Sequence, residues 1–209
     1  MSYNIIPLFS KVFYMKHINV DTKKIVSMIS DSFENSGTNT PIDVDNITSA
    51  SNSKFVLEEN KFSDLKKQIM NEFYNFSYNV MHYKNEFKIT TSWFTKSQTN
   101  QNSNYHNHNN SMFSGILYLQ TDENSGDISF EDFNNRRYKL DVKEYNIYNC
   151  TEYKFKPTDG LMILFPSEVH HKILKNNSSI VRHSLAFNFV PVGKIGSDDS
   201  YMNIEVTDE

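Results

Sequence analysis

The stretch that decides the fold is Tyr105-His106-Asn107-His108-Asn109-Asn110-Ser111, running directly into Met112-Phe113-Ser114-Gly115-Ile116-Leu117-Tyr118-Leu119-Gln120. The second half is a short, mainly apolar run bounded by polar residues, which reads as a strand. The first half carries two imidazoles with one residue between them. Alternate residues of an extended chain point to the same side, so His106 and His108 can present both rings to one ion while Asn107 turns away. On a helix the same spacing would drive the rings apart. Alone, such a pair says little in a chain with 7 histidines. In an Asn-rich loop its ordinary fate is solvation.

Two further segments change that reading. Val169-His170-His171-Lys172 follows a second apolar run, residues 161–165. If the backbone is extended there, His170 and His171 point oppositely, and only one of them can serve as a ligand. Arg182, in Arg182-His183-Ser184, lies inside a third apolar run, residues 180–190. Three nitrogen donors from two distant segments can clamp a divalent metal and leave coordination positions open. A fixed cation beyond them can hold a carboxylate. That combination is the chemistry of non-haem iron oxygenases.

The rest of the chain supplies a frame. Residues 5–18 alternate loosely and read as an edge strand broken at Pro7. Asp21 is a good N-cap, and Ile25, Met28, Ile29 and Phe33 then share a helical face that Gly37 ends. Residues 36–53 are polar and read as a loop. Ser63 is a second N-cap candidate. After it Leu65, Ile69, Phe73, Phe76 and Val80 form an apolar stripe, giving a helix to about His82 that packs on a sheet. From Phe87 the period becomes two, through Ile89, Thr91 and Trp93. Residues 95–104 read as a loop, residues 112–120, 127–131, 161–165 and 180–190 as strands, and residues 197–209 as a loose acidic tail. Helices followed by many strands make one α+β, mainly β domain, a jelly roll over residues 87–192 backed by helical support over residues 20–83.

Composition excludes several functions. With 209 residues and a formal net charge of −4, the chain has no basic footprint for nucleic acid. Its single cysteine, Cys150, precludes an intrachain disulfide and suggests a reducing compartment. The opening Met1-Ser2-Tyr3-Asn4 has no leader character, and no run is long enough for a membrane span, so the expectation is a cytoplasmic protein. No phosphate-binding glycine loop or Gly-x-Ser-x-Gly elbow is present. The N-terminal strand and the helix bearing Phe73 offer an extra apolar face, which would suit a homodimer.

Several motifs occur together in a fixed order: Trp93-Phe94, Tyr105-His106-Asn107-His108, Ser114-Gly115-Ile116-Leu117-Tyr118-Leu119, Gly126-Asp127-Ile128-Ser129-Phe130, Pro157 with Gly160-Leu161, Phe165-Pro166-Ser167, His171, and Arg182-His183-Ser184-Leu185-Ala186-Phe187-Asn188. In that order they resemble a family of 2-oxoglutarate/Fe(II)-dependent oxygenases common in bacteria and marine phages, related to prolyl hydroxylases. The opening Pro7-Leu8-Phe9 with Val12 resembles that family's N-terminal strand. The likeness spans nearly the whole chain and is strongest from Trp93 to Phe189.

The resemblance implies a double-stranded β-helix, cupin-like in form, and a dioxygenase, in particular a hydroxylase of a small molecule or peptide. It implies Fe(II) on His106, His108 and His171. His171 is preferred to His170 because it precedes Lys172-Ile173 as the family histidine precedes its own short strand. It further implies 2-oxoglutarate as co-substrate, its distal carboxylate held by Arg182, with Ser184 and Tyr118 as hydroxyl donors. If phage-encoded, the protein would act in the host cytoplasm. One departure stands out: the wider superfamily carries His-x-Asp/Glu, and His108 occupies the position of the acid. Three neutral imidazoles leave Fe(II) with its full charge until dianionic 2-oxoglutarate neutralises it. The same donors suit zinc, so the alternative expectation is a cupin-like, non-oxidative zinc module. Asp127 and Glu131 lie on a later strand and offer carboxylates, but exposed acids on an antiparallel strand are the ordinary case.

Overall fold

The computed structural model describes residues 4–33, 48–133 and 140–207. The expected N-terminal strand forms only at its end, as β1, Tyr14–His17. Pro7 lacks a ladder donor, and Phe9 takes a left-handed backbone (φ 58°), so residues 5–13 do not extend it. Helix α1, Thr22–Ser27, begins as expected, with Asp21 accepting from the Lys24 backbone N–H at 3.0 Å. It is shorter than its apolar face suggests, and a 3-10 turn, Ser30–Phe33, carries the face onward. Gly37 and most of the loop around it lie outside the described residues. Strand β2 is Ser49–Ala50.

Helix α2, Ser63–Tyr74, starts at Ser63, and Phe62 stands at the cap position with no side-chain cap bond. Packing therefore fastens this helix, which has Leu65, Ile69 and Phe73 buried along one side. It continues as a π-helix, Asn75–Val80. The strands that follow are β3 Glu86–Ser97, β4 Phe113–Gln120, β5 Ile128–Glu131, β6 Glu152–Phe155, β7 Leu161–Pro166, β8 His170–Ile173, β9 Arg182–Ile195 and β10 Met202–Ile204. Strand β3 takes in the start of the expected loop at 95–104. Strand β10 forms within the tail read as loose, where it pairs with Gly193–Ile195 of β9.

The strands make two antiparallel sheets. The larger has the order β1-β7-β4-β9-β3-β2, with β10 on β9, and the smaller has the order β6-β5-β8. A core of Ile116, Tyr118, Ile128, Phe130, Ile163, Phe165 and Ala186 joins residues from both sheets. A second core joins the helices to the opposite face of the large sheet, through Ile69, Phe73, Phe76, Leu185, Phe187 and Phe189. This is the expected double-stranded β-helix with helical support.

Strand β9 shows how the fold places function. Leu185, Phe187 and Phe189 belong to the helix-side core. The alternate residues Arg182, Ser184, Ala186 and Asn188 face the space between the sheets. Phe73 stacks on Phe189 with ring centroids 3.7 Å apart, so α2 packs its buried apolar face on its own sheet. Val80 of the same stripe and the N-terminal apolar residues Ile6, Leu8 and Phe9 stay exposed. Gly115 is required by close approach: a Cβ there would lie 2.0 Å from the Phe187 ring. Among the described residues no helix is long and apolar enough to cross a membrane.

Candidate metal centre

The histidines are brought together by backbone pairing. The segment leading into β4 is extended and lies against β8. The His106 N–H donates to the His171 carbonyl at 3.0 Å, and the His171 N–H donates back at 2.8 Å. The His108 N–H donates to the Ser167 carbonyl at 3.0 Å. One ring nitrogen from each of His106, His108 and His171 lies within 4.8 Å of the others. His170, the alternative from the sequence, points the other way and meets the Phe133 ring edge-on at 4.8 Å. Neither suggested acid joins the group. Glu131 pairs across the ladder with His170 and shares its outward face. Asp127 acts at a distance, on the charge states of Tyr118 and Arg182.

The tautomers follow from hydrogen bonding. His106 Nδ1 lies 2.9 Å from the Asn104 carbonyl, and His171 Nδ1 lies 3.1 Å from the Val169 carbonyl. A carbonyl only accepts, so each Nδ1 carries the proton and each Nε2 keeps a free lone pair. His108 Nδ1 lies 2.6 Å from Asn188 Oδ1 and 2.9 Å from Ser114 Oγ. Burial, with the neighbouring His106 second, pushes the His171 pKa down to about 3. Burial also lowers that of His108, against the pull of the Asn188 acceptor. At neutral pH His108 and His171 are therefore uncharged, the state that ligates metal.

The inward face of β9 also carries an unusual cation. Arg182 is 1% exposed and Tyr118 0%. Neither the three guanidinium nitrogens nor the Tyr118 hydroxyl has a hydrogen-bond partner of good geometry among the described residues, although each group favours the charged form of the other. The Arg182 Cζ sits 5.1 Å from the Tyr118 ring centroid, a cation–π contact that leaves the donors unfilled. Burial pushes the Tyr118 pKa up to about 12, against the pull of Arg182, so the phenol keeps its proton and can donate. Burial also lowers the Arg182 pKa, yet guanidinium stays charged in proteins. A buried, unpaired charge costs several kcal/mol, roughly, and a carboxylate taken in bidentate fashion is the partner that removes that cost. Ser184 shares the face of Arg182, and its hydroxyl lies 2.6 Å from Thr95 Oγ1. Three converging imidazoles, and on the same inter-sheet side a buried cation without an anion among the described residues, fit a divalent metal chelated by a dicarboxylic keto acid.

Sequence reasoning missed the groups that orient the histidines. The carbonyls of Asn104 and Val169 leave no signature in side-chain patterns. Asn188 and Ser114 were visible only as polar residues interrupting apolar strands, on the inward-facing alternation. Trp93 packs against the inter-sheet cluster but stays half-buried, its ring centroid 5.5 Å from that of His108.

Comparison with known proteins adds the following. Residues 91–188, just under half of the chain, match the model of a family described as "putative 2OG-Fe(II) oxygenase". No curated protein matches the sequence. Similar solved structures include a Pseudomonas putida prolyl-4-hydroxylase, at 15% identity and TM-score 0.57, covering 87% of this chain and 94% of that one. A Trichoplax adhaerens prolyl hydroxylase, in complex with a hypoxia inducible factor peptide fragment, has 13% identity and TM-score 0.58, covering 85% and 82%. HygX from Streptomyces hygroscopicus, with nickel, 2-oxoglutarate and hygromycin B bound, has 9% identity and TM-score 0.59, covering 87% and 83%. At these identities the structural likeness establishes the fold.

Proposed function

We propose, from the premise that this chain belongs to the 2OG-Fe(II) oxygenase family through residues 91–188, that it is a dioxygenase hydroxylating a small organic molecule or peptide. In this reading His106, His108 and His171 hold ferrous iron through Nε2, and Arg182, Tyr118 and Ser184 hold the distal carboxylate of 2-oxoglutarate. Iron with the keto acid supplies the oxidation: dioxygen is consumed, 2-oxoglutarate loses carbon dioxide to become succinate, and one oxygen atom enters a substrate C–H bond.

The chain's own residues divide the remaining work. The Nδ1–H bonds fix three rings so that their lone pairs converge before any ion arrives. Arg182 and Tyr118 present donors in a dry setting, where a hydrogen bond to a carboxylate is strongest. The exposure of His106, against the burial of His171, gives the site an open side. An organic substrate reaches the centre there, beside the half-buried Trp93. The observation that carries the proposal is the buried Arg182 with all three nitrogens unpaired among the described residues. A zinc module that binds no keto acid has no use for such a group, so nothing favours the zinc alternative.

The test is anaerobic titration of the protein with Fe(II) and 2-oxoglutarate, followed by turnover with dioxygen. The expected result is a visible charge-transfer absorption that Arg182→Ala abolishes, with succinate formed only when iron is present. A folded protein that shows neither the absorption nor iron-dependent succinate overturns the proposal.

A further inference from the structure

We infer that Asn188 is a positioning residue that sets the Nδ1–H tautomer of His108. The inference rests on the ligand reading above, but concerns a residue outside the ligand set. His106 and His171 take their tautomer from main-chain carbonyls, whose polarity a side-chain substitution does not alter. His108 has no such carbonyl. Its Nδ1 faces two side chains, Asn188 Oδ1 at 2.6 Å and Ser114 Oγ at 2.9 Å. A serine hydroxyl donates or accepts equally well, so it cannot choose between tautomers. An amide oxygen only accepts. The choice therefore belongs to Asn188.

The amide has a partner at each end. Asn188 Nδ2 donates to Thr91 Oγ1 at 2.9 Å, and Asn188 Oδ1 accepts from Ser114 Oγ at 2.8 Å. Ser114 Oγ lies 2.8 Å from Ser167 Oγ, which accepts from Ser111 Oγ at 3.0 Å. The network ties β3, β4 and β9 to the loop after β7, so the ring is fixed by contacts from four places in the chain. Turned the other way, the amide would present Nδ2 to His108 Nδ1. The proton would then move to Nε2 and remove one of the three converging lone pairs.

Imidazole suits this setting because it gives the Asn188 oxygen a proton through Nδ1 while its second nitrogen keeps a lone pair, so Asn188 and His108 act as one unit.

The experiment reads the tautomer directly, by long-range proton–nitrogen correlation NMR on 15N-histidine-labelled, metal-free protein in slightly alkaline buffer. Wild-type His108 is expected to show a protonated Nδ1 and an unprotonated Nε2. Asn188→Ala should yield a tautomer mixture at His108 alone, and weaken Co(II) binding, followed by its visible absorption, by about 10–100-fold. Asn188→Asp, which keeps the acceptor and the shape, should restore both. Thr91→Val, which releases the amide, should fall between them and serves if Asn188→Ala does not fold. The inference is overturned if wild-type His108 carries its proton on Nε2, or if Asn188→Ala leaves the tautomer unchanged and Co(II) affinity within twofold. These readouts need neither iron turnover nor keto acid, so loss of the oxygenase reading would leave them standing.

Discussion

Replacing Arg182 with methionine should make the ligand-free protein more stable while destroying its capacity for the keto acid. Arg182 is 1% exposed, and its three nitrogens have no partner among the described residues. Substituting a buried ionic group with an apolar one of similar volume commonly gains about 1–4 kcal/mol. In a chain of this size each kcal/mol moves the melting temperature by about 2–4 °C, so a gain near 2 kcal/mol raises it by roughly 4–8 °C. Binding should move the opposite way. Two charge-assisted hydrogen bonds at about 1.5–3 kcal/mol each amount to ~3–6 kcal/mol, a loss of roughly 10²–10⁴ in affinity. Differential scanning fluorimetry reads both effects, with Mn(II) replacing iron to prevent turnover. At a hundredfold excess of 2-oxoglutarate over its dissociation constant, wild type should gain about 2.7 kcal/mol. Arg182→Met should gain nothing. The reasoning is refuted if Arg182→Met melts well below wild type without ligand, because the guanidinium would then already have been satisfied. It is equally refuted if 2-oxoglutarate stabilises both proteins alike.

Other outcomes follow from other features. His171 has its pKa depressed by burial from 6.5 to about 3, so the unfolded chain takes up a proton below pH 6.5 that the folded chain refuses. Stability should therefore be complete above that pH and fall by roughly 1.4 kcal/mol per unit below it, and urea titrations should show His171→Gln losing about 2 kcal/mol less than wild type between pH 6.5 and 5. An identical slope in the variant would refute this. His171→Ala should lose Co(II) binding while His170→Ala keeps it, as isothermal titration would show; the reverse would put the wrong neighbour in the cluster. Phe73→Ala, at the Phe189 stack, should cost about 3–5 kcal/mol in denaturant unfolding, and under 1 kcal/mol would mean that α2 is fastened elsewhere. Gly115→Ala should cost about 1–3 kcal/mol by pressing on the Phe187 ring, and a neutral result would show that ring free to yield.

The long β4 and β9 strands were legible because their apolar runs are covered on both faces and bounded by polar punctuation. Helix α2 was legible from its stripe, but its start was misplaced by one residue: Ser63 invites a capping reading, while packing of Phe62 and Leu65 decides where the helix begins. Strands β6 and β8 are four residues each. They take their structure from the ladder partner β5, not from a period of their own. Strand β10 was unreadable for the same reason, since β9 supplies its register. At the site, the ligand spacing of His106 and His108 is a local property that the sequence displays. Which of His170 and His171 faces inward is a register property, fixed when Phe130 pairs with His171 and Glu131 with His170. Residue identities alone left that choice open, and only a family likeness favoured His171. The partners of the three Nδ1 atoms lie a further step away, because two are main-chain oxygens.

The reciprocal amide bonds between His106 and His171 carry a consequence for the ion that the proposed function places there. In many small metalloproteins the ion is the fastener, and a chelator unravels the chain. Here the two ligand-bearing segments are zipped to each other by peptide groups. Stripping the ion should leave an intact vessel with its mouth unchanged. Nearly all of the coordination energy is then available as grip on the ion, so loading and unloading become exchange reactions with the surrounding metal pool, decoupled from protein turnover.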